Sequence, residues 1–224
     1  MISSKRIIIQ IKTLTTELIE TGLCDDQTFP SLYKTCRNIE EVGITHAESS
    51  IFLKSIPYAN MYQELIKKRF FNVKMIDGAL ISMQYRFKED LLIAHRLSFF
   101  PSPNLELFQN DPEVYIEDEV YADILDRRIV TVPLRFDFDN NEDICKPIAH
   151  PISHLTIGQY SNCRIPVSSA LTPYQFISFI IMNFYHTAHK RYQKDLSVYK
   201  DCFSRTLFAE EHELLHLHTP TYTL

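Results

Sequence analysis

Residues 172–185 constrain the fold more than any other stretch. Thr172 suits an N-cap, Pro173 the first helical position, and Gln175 completes a T-x-x-Q capping box, so a helix starts here. Phe176, Ile177, Phe179, Ile180, Ile181, Phe184 and Tyr185 then cover more of its circumference than a single stripe. A helix apolar over that width belongs in a core and packs on two sides. The spacing predicts a buried helix over 173–190, so the rest of the chain must supply the surfaces that cover it.

What precedes that helix reads as sheet. Residues 72–76 and 79–87 flank Asp77-Gly78, a two-residue hairpin signal, and a turn at 88–90 leads into a further strand over 91–100. From Val130 to Phe138 apolar and polar residues alternate, as in a strand with one buried face. Short strands at 154–157 and 164–167 follow, the second marked as an edge by Pro166. Residues 114–125 read as strand then short helix. Helical spacing returns at 4–22, 61–70 and 206–218. The prediction is an α+β fold. It is a single domain over 1–224, with a mostly helical part at 1–70, a mainly antiparallel meander at 71–168 and a helical part at 172–224.

Composition narrows the function classes. A net charge of −5 argues against nucleic-acid binding through bulk positive potential, and only four glycines leave little for a Gly-rich phosphate loop. Five widely spaced cysteines without a C-x-x-C pair fit reduced thiols, hence a cytoplasmic protein. The longest apolar run is too short to span a bilayer, and no secretory signal is visible, so no membrane partner is expected.

Two groups of residues carry candidate chemistry. His150 and His154 flank the start of a strand, with Tyr160, Arg164, Ser168 and Ser169 close behind. A pair of imidazoles can exchange protons near neutral pH, and a guanidinium can brace a phosphate, so this set would serve a metal-free phosphodiester hydrolase acting on RNA. In the plain alternative the histidines fill structural gaps and Arg164 pairs with Asp137 or Asp139. The second group is His212-Glu213-Leu214-Leu215-His216, an H-E-x-x-H sequence. On a helix His212 and His216 would face a zinc ion together, with Glu213 activating water. Only eight residues follow His216, so a third ligand would have to come from elsewhere, such as His150 or His154. The reading adopted uses no cofactor, with zinc as the alternative.

The order H-P-x-x-H-L-x-I-G from His150, R-I-P-V-S from Arg164, L-T-P-x-Q-F-I from Leu171 and N-F-Y at 183–185 resembles a family of bacterial proteins known only as a domain of unknown function. The block from Leu97 to Pro103 is similar to an earlier part of the same family. The likeness spans residues 75–189. It implies a bacterial, intracellular, single-domain protein and a place among defence or toxin components, and it carries over no catalytic role. Two functions are therefore expected to compete: a His-dependent hydrolase, and a non-catalytic subunit that binds a protein partner or a second copy.

Overall fold

The computed structural model describes residues 2–35, 38–45, 56–103, 132–160 and 162–220. Helix α1 (Ser4–Glu20) opens the chain, with the Ser3 hydroxyl accepting from the Arg6 N–H at its start. Ile7, Ile11, Leu14 and Leu18 recur on one face of α1 and are fully buried. Three strands follow, β1 (Cys24–Gln27), β2 (Ser31–Lys34) and β3 (Ile39–Gly43), then α2 (Tyr58–Lys67). The two helices expected in the first 70 residues are therefore joined, among the described residues, by three strands. Cys-Asp-Asp-Gln in β1 and Ile-Glu-Glu-Val-Gly in β3 lack the apolar alternation that announces a strand, and pairing with neighbours makes them strands.

The sheet continues with β4 (Val73–Met75), β5 (Leu80–Lys88), β6 (Leu91–Phe100), β7 (Leu134–Asp139), β8 (Ser153–Ile157) and β9 (Ile165–Pro166). All pairings are antiparallel, in the order β1-β4-β5-β6-β7-β8-β9. Strand β5 is long enough to share one edge, pairing with β4 at its start and β3 at its end, while β2 flanks β3. The expected α+β architecture with a mainly antiparallel sheet is the one observed. Residues 104–131, including the predicted elements at 114–125, lie outside the described residues. The alternating stretch appears as β7, which starts at Leu134.

Alternation gives the sheet two unlike faces. Met83, Tyr85 and Phe87 of β5, Leu97 and Phe99 of β6, Phe136 of β7 and Leu155 of β8 form the core face, against α1 and the predicted buried helix. That helix, α3 (Pro173–Phe184), keeps its capping box: the Gln175 N–H donates to Thr172 Oγ1 and the Thr172 N–H to Gln175 Oε1. Phe176 and Phe179 meet Phe136 edge-on, with ring centroids 6.0 and 5.4 Å apart. The helix does not run to residue 190. Tyr185 leaves helical geometry, at φ −133° and ψ 55°, and a separate α4 (His186–Tyr192) follows. The Tyr185 hydroxyl donates to the Asp77 carboxylate, within 2.9 Å of both oxygens, so a tertiary contact accompanies the break.

Asp77 belongs to the β4–β5 turn, where Gly78 sits at φ +79°. A Cβ on Gly78 would lie 3.1 Å from Tyr62 Oη and 3.2 Å from Ser102 Cβ, and the Tyr62 hydroxyl also donates to the Gly78 carbonyl. Gly78→Ala is expected to destabilise the protein by about 2 kcal/mol, from strain at positive φ plus crowding. The check is urea unfolding, where the midpoint should fall with the slope unchanged.

The second face of the sheet is apolar where α2 covers it, around Leu80 and Phe100. Beyond α2 it turns polar, and the candidate site lies there.

Candidate functional site

Strand register builds the site. Gln84, Arg96, Asp137 and His154 stand in one row across β5, β6, β7 and β8, each opposite the next. A second row joins Glu41, Arg86, Ala94 and Asp139. These side chains line a cleft of about 480 Å³, together with Arg135, His150 and Arg164. Its charged lining among the described residues comprises four guanidiniums (Arg86, Arg96, Arg135, Arg164) and three carboxylates (Glu41, Asp137, Asp139). A chain carrying −5 overall thus gathers, among the described residues, four arginines against three carboxylates in one concavity.

The predicted pair converges. The His150 and His154 rings meet edge-on with centroids 5.0 Å apart. His150 is half-buried and its Nδ1 has no hydrogen-bond partner among the described residues. His154 is only 3% exposed, yet it lines the cleft. Its Nδ1 lies 2.9 Å from the Pro151 carbonyl, which can only accept, so Nδ1 carries the proton and Nε2 keeps its lone pair. Asp137 Oδ2 lies 3.9 Å from that Nε2. Burial lowers the His154 pKa, and nearby Asp137 opposes it without cancelling it. His154 is therefore a neutral base at pH 7, beside a carboxylate able to stabilise its imidazolium.

Asp137 is the hub. Arg96 Nε donates to Oδ1 at 2.9 Å and Arg135 Nε to Oδ2 at 2.5 Å. Burial alone would raise its pKa, but the two guanidiniums outweigh it and hold the carboxyl below its usual range. With Asp137 so occupied, the expected alternative pairing of Arg164 with Asp137 or Asp139 does not occur. Arg164 Nη1 instead donates to the Ala149 carbonyl at 3.2 Å, and no carboxylate among the described residues pairs with it.

Tyr160 and Ser168 do not join the cleft. Tyr160 is 74% exposed and lies beyond the far end of β8 from His150, against Gly158. Ser168 is buried, with its Oγ accepting from the Thr219 N–H at 2.8 Å and lying 2.8 Å from Thr219 Oγ1. Ser169 is likewise tied to Thr219. These hydroxyls anchor the C-terminal segment. Sequence reasoning missed Arg86, Arg96 and Glu41 as members of the site, and it named Asp137 only as an ion-pair partner. Arg135 and Asp137 carry a visible signal, since they alternate with Phe136 and Phe138 and must face away from the core.

The H-E-x-x-H sequence does not form an α-helix. A short 3-10 turn covers Ala209–Glu213, and the chain is extended at Leu214. Leu217 forms a parallel bridge to Val167, donating its N–H to Pro166 O and accepting from the Ser168 N–H. The sheet edge thus recruits backbone that an α-helix would need. His212 and His216 approach with ring centroids 6.2 Å apart, His216 Nδ1 lies 2.9 Å from the Leu214 carbonyl, and Glu213 is exposed. Among the described residues no group of three or more His, Cys, Asp or Glu is placed to hold a metal ion.

Fold and cleft together define an α+β protein with an arginine- and histidine-lined cavity on the face of an antiparallel sheet opposite α1 and α3. The chain matches, over residues 23–219, the family described as an uncharacterized conserved protein (DUF2290), and it belongs to that family. No curated protein and no solved structure matches it. No described helix is long and apolar enough to cross a membrane.

Proposed function

We propose that the cleft binds a phosphodiester and cleaves it by proton transfer to one of its two histidines and from the other, with RNA as the substrate. One observation carries the reading: the His150–His154 pair lies at 5.0 Å in a cleft where Arg164 has no carboxylate partner among the described residues. In this reaction His154 Nε2 takes the proton of a ribose 2′-hydroxyl and the 2′-oxygen attacks phosphorus. The bond to the 5′-oxygen breaks, and that oxygen leaves with a proton from protonated His150. The product is a 2′,3′-cyclic phosphate. Arg164 stabilises the charge that develops on the phosphoryl oxygens, and Asp137 stabilises the His154 imidazolium.

The test is RNA cleavage by purified protein in a chelator-containing buffer. His150→Ala and His154→Ala are each expected to lower kcat by about 10²–10⁴-fold, and Arg164→Ala by about 10²–10³-fold. Circular dichroism should match the wild type throughout. Wild-type protein that leaves RNA intact, or folded variants that cleave as fast as wild type, would contradict the proposal.

A partner-binding role draws on a different observation. Leu215 is 91% exposed, with Leu214 and Ile148 also open to solvent nearby. That role predicts that Leu215→Asp, and not His154→Ala, abolishes function in the cell.

A further inference from the structure

The loop that presents His150 is held under strain by a distant residue. The Lys146 N–H donates to the His150 carbonyl at 3.0 Å and the His150 N–H to the Lys146 carbonyl at 2.9 Å, closing Pro147-Ile148-Ala149 into a tight loop. Closure puts Ile148 at φ +64°. A β-branched residue is a poor occupant of that region, because its Cβ substituents crowd the backbone. Packing does not compensate, since Ile148 is 52% exposed. The Ile148 N–H instead donates to Glu211 Oε1 at 3.0 Å, across 63 positions of sequence.

Glu211 is itself 1% exposed, and no cation among the described residues pairs with it. Its other oxygen accepts the Phe208 N–H at 3.1 Å, so both oxygens are committed to backbone donors. The 3-10 turn that carries it is anchored on either side to β9 and the residues just after it. On one side Thr206 N–H donates to Ser168 O, and on the other Leu217 N–H donates to Pro166 O. A buried carboxylate in a fixed turn therefore grips the one strained residue between Lys146 and His150. Arg164 grips the next residue through the Ala149 carbonyl.

We propose that Glu211 is a positioning residue of the cleft, holding the strained 146–150 loop so that the His150 ring stays against His154. Its consequence for catalysis rests on the hydrolase reading above, and the geometric claim does not. With both carboxyl oxygens fixed by backbone donors, this contact over-determines a conformation that Ile148 would otherwise leave.

The experiment follows the His150 Cε1–H resonance by NMR in the full chain, assigned by its loss in His150→Ala. Glu211→Ala is expected to shift it. Glu211→Asp should do the same, because it keeps the charge and withdraws the oxygen by about 1.5 Å; it also serves should the alanine variant not fold. Adding Ile148→Gly to either should return the resonance toward its wild-type position, since glycine takes positive φ without strain. In RNA cleavage the Glu211 variants should lose about 10–100-fold in kcat with KM little changed, and Ile148→Gly should restore most of it. A His150 resonance unmoved by both Glu211 variants, or not restored by Ile148→Gly, overturns the proposal. If the resonance moves as described while wild-type protein cleaves no RNA, the positioning role stands and only the hydrolase reading falls.

Discussion

Acidification from pH 6.5 to 4 is expected to cost the fold about 3 kcal/mol through His95 alone. This side chain sits on the core face of β6, 4% exposed, between Tyr85 and Phe138 with ring centroids 5.5 and 5.7 Å away. Its Nε2 accepts the Leu171 N–H at 3.0 Å, just before the N-cap of α3, while Tyr85 donates to the Leu171 carbonyl. Burial drives the His95 pKa down to about 4, with Asp137 opposing. The unfolded chain takes up its proton near the ordinary value of 6.5 and the folded chain does not. Stability is therefore full above pH 6.5 and drains away as the pH falls toward 4.

His154, also depressed by burial, adds to the loss, whereas Asp77, raised by burial, gives some back. Protonated His95 would turn an Nε2–H against the Leu171 N–H and release the start of the buried helix. His95→Gln offers a neutral acceptor that does not titrate, and it should flatten most of the slope. Urea midpoints between pH 4 and 7 provide the check, and equal slopes for the two proteins would refute the assignment.

Removing the hub carboxylate should have an effect of similar size. Asp137→Ala removes the carboxylate that Arg96 and Arg135 share across adjacent strands. A fully buried pair broken this way costs about 3–5 kcal/mol, but both arginines keep contact with water, so about 2–3 kcal/mol is expected. Added salt should recover part of it by screening the exposed guanidiniums. The same change makes the cleft more positive and deprives the His154 imidazolium of its stabilising partner. RNA should therefore bind at least as well while kcat falls by about 10²-fold. Chemical unfolding at two ionic strengths and steady-state kinetics separate the two effects. A fall in binding with kcat intact would argue against the role given to Asp137.

Much of this framework is legible in the chain itself, where the signal is local. The hairpin at Asp77-Gly78, the strand Leu91–Phe100 and the Thr172–Gln175 capping box each depend on neighbours within a few residues. His150 and His154 also declare themselves, lying four positions apart around the start of β8. What the sequence hides is what distant partners decide. Tyr185 divides the helix where its hydroxyl meets Asp77, 108 positions away. Residues 212–216 look like a zinc-binding helix, but the edge beyond β9 draws the following backbone into extended pairing. Arg96 and Asp137 become partners only through the β6–β7 register, which no local pattern specifies. Ile148 gives no hint in sequence of its positive φ, because glycine and asparagine are the residues that normally mark one.

The most direct test of the central claim is end-group analysis after incubating wild-type protein with an RNA and a DNA of the same sequence, in chelator. The account predicts RNA fragments ending in 2′,3′-cyclic phosphate, intact DNA, and no fragments from His154→Ala. Intact RNA, or DNA cut as readily as RNA, would contradict it.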